Sequence, residues 1–196
     1  MTSSLNQSSK RPNLEEIPSI NKTSNKVSSN LRLITPLGQI HIHQSPFRGS
    51  FSVVLTEAVR AAGLGRKVLL AQFLRGGVCQ GINNPTMLCD NLIWVRPDIE
   101  SCIDPSKEES IINNSDSSEI KKIWYFCKER IIEGSYDQII LDEVSLAINL
   151  GIIQKNDLIS TLEKRRGSID VILTGPPMPE EILSMADQIT ELRSFK

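Results

Sequence analysis

Apolar residues recur along this chain with two periods, and the periods take turns. Residues 38–43 (GQIHIH) set Ile40 and Ile42 between polar neighbours, the two-residue period of a strand. A loop, residues 44–50 (QSPFRGS), then leads to Phe51, Val54, Leu55, Ala58, Val59 and Ala62, which fall at i, i+3, i+4, i+7, i+8 and i+11, the stripe of an amphipathic helix. Ser50 is placed as its N-cap, and Gly63 and Gly65 as its end. Residues 67–73 (KVLLAQF) are nearly all apolar, as a strand covered on both faces of a parallel sheet would be. Strand, helix and strand with short connections predict a right-handed βαβ unit of the kind found in nucleotide-binding α/β proteins.

The alternation continues downstream. Strands are expected at 92–95 (LIWV), 135–143 (SYDQIILDE), 170–174 (DVILT) and 188–192 (QITEL). Ile120, Ile123, Trp124, Cys127 and Ile131 mark a helix over 118–133 that Gly134 closes. Further helices are expected around 157–165, stopping at Gly167, and over 180–185, with Pro179 at the start. Apart from its short strand, the stretch 75–117 shows little periodicity, which inside a compact domain marks a substrate loop or a mobile segment.

Composition changes this picture at one end. A chain of 196 residues suits one domain with a sizeable core. Residues 1–33 are rich in Ser and Asn and poor in large apolar residues, so they are expected to form a disordered tail, leaving 34–196 as the folded domain. Five basic residues in the tail (Lys10, Arg11, Lys22, Lys26, Arg32) against Glu15 and Glu16 make it about +3, and the rest of the chain about −4. An organelle transit peptide is the alternative for this tail, and Glu15, Glu16 and the shortage of Arg weigh against it. With a net charge of −1 and a pI near 6.2, small molecules or proteins are expected as partners, not nucleic acid. Neither a membrane-spanning run nor a secretory signal is evident. Cys79, Cys89, Cys102 and Cys127 form no C-x-x-C pair and no zinc spacing with His41 or His43, which points to a reducing, cytoplasmic setting, with Cys127 as a small core residue. His41 and His43 share one strand face; solvated or hydrogen-bonded imidazoles are the expected reading, and metal binding the alternative.

Two segments carry candidate chemistry. The loop 44–50 sits where nucleotide-binding proteins cradle phosphates, and 139–143 (IILDE) has the Walker B form, an apolar strand that delivers an Asp to the working end of the sheet. Several stretches resemble the ATP:corrinoid adenosyltransferase family, which transfers the adenosyl group of ATP to cobalt(I) of a corrinoid. They are GQIHIH (38–43), AVRAAGLGRKVLLAQFLRG (58–76), GSYDQIILDEV (134–144), VILTG (171–175) and ADQITELR (186–193), in family order. The resemblance implies a P-loop NTPase-like, three-layer α/β fold, a mostly parallel sheet of about six strands with helices on both faces, in a chain that forms a homodimer. It implies ATP, Mg²⁺ and a corrinoid as ligands. Asp142 and Glu143 would be the catalytic pair, with Asp142 holding Mg²⁺. Ser45, Arg48, Gly49, Ser50, Ser52, Arg75 and Arg193 would bind the nucleotide.

The departures from that family are concentrated in the loop. The family pattern, roughly G-N-G-K-G-K-T-T, falls on residues 45–52 (SPFRGSFS). Gly49 is kept, Arg48 preserves the first positive charge, and Ser52 preserves a hydroxyl. Ser50 replaces the second Lys, Phe51 the hydroxyl that coordinates Mg²⁺, and Ser45 and Phe47 two glycines, while Pro46 removes a backbone donor. The family's Thr-Trp pair after the third strand is missing from 95–104, and Trp94 and Trp124 are both expected to be core residues. Three readings follow: a divergent adenosyltransferase, a catalytically inactive relative acting as a corrinoid-binding, regulatory or protein-interaction domain, and an unrelated P-loop ATPase or kinase.

Overall fold

Seven strands pair into one sheet, in which residues 68–72 and 138–142 are buried at every position. A computed structural model describes residues 37–46, 48, 52–105 and 113–193. The expected tail, together with Phe47, Gly49, Ser50 and Phe51 of the loop, lies outside the described residues. The elements in chain order are β1 (Ile40–Gln44), α1 (Ser52–Gly63), β2 (Val68–Gln72), β3 (Thr86–Leu88), β4 (Leu92–Val95), α2 (Asn114–Glu133), β5 (Gln138–Asp142), α3 (Val144–Asn149), α4 (Lys155–Glu163), β6 (Asp170–Gly175), α5 (Glu180–Leu183) and β7 (Gln188–Glu191). The sheet order is β3-β4-β2-β5-β6-β1-β7, parallel throughout except for the β3–β4 pair.

The expected α/β architecture and the six expected strands are present; β3 is the seventh. It is a three-residue strand with Thr86 and Met87 exposed, too short and too polar on its flanks to register as a period. The helix α3 is likewise not expected, since its six residues are too few to display a period and no side chain caps its start. The expected start of α2 at 118 is also late. Asn113 caps the helix four residues earlier, its side chain accepting a bond from the Asp116 N–H at 2.7 Å, so a Ser/Asn cluster that reads as loop is a helix start. Gly134 closes α2 in the left-handed region, φ 77°, as expected.

The two faces of the sheet are covered unequally. Leu69, Ala71, Ile139, Leu141, Val171 and Leu173 face a core formed with α2, α3, α4 and α5, in which Trp124 and Cys127 are buried as expected. Val68, Leu70, Leu92, Ile140 and Ile172 face α1, under Val54, Ala58, Ala61 and Ala62. The buried stripe of α1 is rotated from the expected one: Val59 is 44% exposed and Ala61 is 2% exposed. Ala58, Ala61 and Ala62 let the helix axis lie close on the sheet, a fit that hydrophobicity alone ranks below Val.

The described residues 75–105 are less irregular than their sequence suggests. Residues on either side of β3 and β4 are joined by backbone bonds: Ile103 N–H to Leu74 O at 2.9 Å, Gly77 N–H to Ile99 O at 2.8 Å and Arg96 N–H to Gln80 O at 2.9 Å. These bonds carry no side-chain period, so periodicity could not reveal them.

Because β1, β2, β5 and β6 run parallel, their carboxyl ends reach one rim, the edge at which open α/β sheets place ligands. The crossover from β1 through α1 to β2 passes over β6 and β5. At the opposite end of the sheet, Gly38 passes the backbone of Ile169 so closely that an added Cβ would lie 2.2 Å from the Ile169 carbonyl oxygen. Gly38→Ala is therefore expected to displace the entry to β1 and lower the thermal midpoint; an unchanged melting curve would show that the segment relaxes freely.

Candidate functional site

At the rim, β5 ends on Asp142, and the chain turns at Glu143, whose φ of 61° and ψ of 26° are left-handed. A non-glycine residue held there costs about 1–3 kcal/mol unless its surroundings enforce it. Here they do: the Glu143 N–H donates to Thr174 Oγ1 at 2.9 Å, and the Thr174 hydroxyl donates to Asp142 Oδ1 at 2.6 Å. Next to them Gly175, at φ 150°, leaves room for Ser145, whose Oγ would lie 1.8 Å from an added Cβ.

The other oxygen of Asp142 is held across the β2–β5 pairing, where Gln72 stands opposite Asp142. Gln72 Nε2 donates to Asp142 Oδ2 at 2.7 Å, and Gln72 Oε1 accepts from Trp94 Nε1 at 3.1 Å and Arg96 Nε at 2.8 Å. Two donors on one end of the amide leave its nitrogen for the carboxylate. The Arg96 guanidinium lies 4.7 Å from the centre of the Trp94 ring. Burial raises the Asp142 carboxyl above its ordinary value, against the lowering effect of the bonds from Thr174 and Gln72.

Glu143 has a different partner. Its carboxylate is 1% exposed and is gripped by Arg48, Nε to Oε1 at 2.8 Å and Nη2 to Oε2 at 2.8 Å. Arg48 Nη2 also reaches Leu74 O at 3.4 Å, and Nη1 donates to Ile103 O. Every nitrogen of the guanidinium is thus committed inside the protein, and the Glu143 bond holds Arg48 above its ordinary value. Arg75 lies alongside, its Nη2 3.7 Å from Glu143 Oε1 and its buried Nε without a hydrogen-bond partner among the described residues.

The expected site residues divide into groups. Ser52, Arg75 and Asp142 line one cavity of about 210 Å³ together with Leu55, Gln72, Trp94 and Arg96. Arg48 and Glu143 pair with each other. Ser45 and Arg193 line a neighbouring cavity of about 280 Å³ with Pro46 and Pro177, and Arg193, three-quarters exposed, donates to Glu191 Oε2 at 2.6 Å. Gly49 and Ser50 lie outside the described residues. A larger cavity of about 710 Å³, between residues 79–84 and α2, contains none of these groups.

Gln72, Trp94, Arg96 and Thr174 belong to the site without having been singled out for it. Trp94, expected in the core, is half-buried and walls the cavity. A signal for three of them exists in the sequence: Gln72 is the polar residue in an apolar strand, and Trp94 and Arg96 share a face at strand spacing. Of the two histidines, His41 shares a 2.9 Å bond with Gln39 Oε1, and burial lowers the pKa of His43. Among the described residues no group of three or more His, Cys, Asp or Glu could hold a metal ion, and no helix is long and apolar enough to cross a membrane.

Comparison with known proteins places the chain in a family. Residues 37–196 match the family described as ATP:corrinoid adenosyltransferase BtuR/CobO/CobP. The corrinoid adenosyltransferase of Escherichia coli (strain K12) is 25% identical over 157 residues, 76% of this chain and 73% of that protein. Corrinoid adenosyltransferase CobA of Salmonella typhimurium (strain LT2) is 24% identical over 157 residues, with the same coverage. An uncharacterized protein of Nostoc sp. (strain PCC 7120), all2391, is 27% identical over 172 residues, 80% of this chain but 44% of that protein, so the chain spans less than half of that relative.

The ion pair makes a specific demand on stability. Removing one partner strands a buried charge, which costs about 3–5 kcal/mol, whereas replacing both by apolar groups is close to neutral. Arg48→Met is expected to lower unfolding stability at the lower end of that range, since Arg48 is partly exposed, and Arg48→Met with Glu143→Leu to recover most of the loss. Urea denaturation of the two variants measures this, and additive losses would show that the residues do not depend on each other.

Proposed function

This chain belongs to the ATP:corrinoid adenosyltransferase family, and from that premise we propose that it is a divergent relative that keeps the family scaffold and a small-molecule site at the rim but does not transfer an adenosyl group. The observation that carries this reading is the bidentate Arg48–Glu143 pair. Arg48 is the one cation left in the described part of the loop, and Glu143 is one of the two expected catalytic carboxylates. For Arg48 to reach a phosphate it must abandon a carboxylate that is 1% exposed, at about 3–5 kcal/mol, for a charge-assisted bond of about 1.5–3 kcal/mol. The balance keeps Arg48 where it is.

The Mg²⁺ and ATP sites fit poorly for the same reason. Phe51 supplies no hydroxyl where the family's metal ligand would stand. Ser50 supplies no charge in place of the second Lys. A corrinoid or a protein partner remains the ligand class for such a relative. A second reading, adenosyl transfer by a divergent enzyme, is favoured by one observation: Ser52, Arg75 and Asp142 still open on one cavity.

Supplying Mg-ATP and chemically reduced cob(I)alamin to the purified protein separates the two. No adenosylcobalamin and no ATP binding at millimolar concentration are expected; adenosylcobalamin formed at a rate that Asp142→Ala lowers would sink the proposal. Ser50→Lys combined with Phe51→Thr is expected to raise ATP affinity about 10- to 150-fold, the worth of one charged contact, read by calorimetric titration.

A further inference from the structure

The cavity at the ends of β2, β4 and β5 contains more positive charge than its neighbours use. Arg96 spends Nε on Gln72 and rests on Trp94, and among the described residues no hydrogen bond occupies its terminal nitrogens. Arg75 makes no hydrogen bond among the described residues; its buried Nε has no partner, and its nearest carboxylate, 3.7 Å away, is already chelated by Arg48. A buried donor without a partner demands an explanation in a folded protein. The two guanidiniums also feel each other: burial first, and then the charge of Arg75, lower the pKa of Arg96. This is the electrostatics of a site built for an anion.

The third charged wall narrows the choice of anion. Asp142 lines the same cavity, and an ionised carboxylate only accepts hydrogen bonds. It would repel an oxyanion that has lost all its protons and accept a bond from one that retains an O–H. The cavity volume of about 210 Å³ lies below the range of roughly 300–1,000 Å³ typical of organic ligands. We propose that this cavity binds inorganic phosphate in a protonated form, with Arg75 and Arg96 holding its charged oxygens and Asp142 accepting the P–OH hydrogen. The assignment rests on the reading above that the chain does not hold a nucleoside triphosphate at the same rim.

Sulfate is the decisive probe, because it matches phosphate in shape and has no proton to offer near neutral pH. Calorimetric titration of the full chain with sodium phosphate and with sodium sulfate, without Mg²⁺ and at constant ionic strength, is expected to give phosphate an affinity at least about tenfold higher. Arg96→Gln is expected to weaken phosphate binding by about tenfold or more, while the wild-type ratio itself requires no variant. Asp142→Asn, whose amide can donate to sulfate, is expected to bring the two affinities together. Equal affinities in the wild type, or no phosphate binding at millimolar concentration, would overturn the assignment. Absent phosphate binding together with absent adenosyl transfer removes this inference alone; adenosylcobalamin formation removes the reading on which it rests.

Discussion

A carboxylate that is 1% exposed must be neutralised, and the rim of this protein is arranged around that need at Glu143. The pair with Arg48 joins residues 95 apart in sequence. The same guanidinium reaches the carbonyls of Leu74, after β2, and Ile103, after β4. One side chain thus ties the ends of three strands to the loop after β1. The left-handed turn at Glu143 is held by Thr174 from β6, so the fourth strand enters the same network. Loss of the Arg48 contact would leave the buried Glu143 carboxylate without the cation that chelates it.

This arrangement separates scaffold from chemistry. The strand order sets Asp142 and Glu143 at the carboxyl end of β5, in a chain of the ATP:corrinoid adenosyltransferase family. Among the described residues the rim charges have different surroundings. Arg48 faces inward, Arg193 pairs with Glu191 on the surface, and Arg75 and Arg96 converge on a separate small cavity beside Asp142. A fold does not by itself fix which side chains its rim carries, because the sheet is stabilised by apolar burial.

The network around Gln72 illustrates how a single polar residue in a buried strand organises a site. Its amide oxygen takes two donors and its nitrogen serves Asp142, so its orientation is set by its neighbours. Trp94 and Arg96 are aligned in turn, one as donor and platform, the other as a cation stacked upon it. The unequal covering of the sheet contributes as well. On this face the small residues of α1 allow close approach over the centre of the sheet, while the cavity opens where that helix begins, at Ser52 and Leu55.

The alternation of strand and helix, the βαβ unit over 38–73 and the IILDE strand were all legible in the chain itself, since the apolar period is a local property of each segment. Asp142 at the end of a core strand followed from the same logic. What the chain could not reveal were contacts between segments far apart. That Arg48 turns to Glu143, that Gln72 lies opposite Asp142, and that Trp94 leaves the core to wall a cavity all depend on β2, β5 and β6 lying side by side. Sequence period sets which face a residue occupies, but not which strand will be its neighbour. Charge pairing at the rim was decided only once the strand order had been, because an ion pair is selected by proximity and burial together, and both are properties of the assembled sheet.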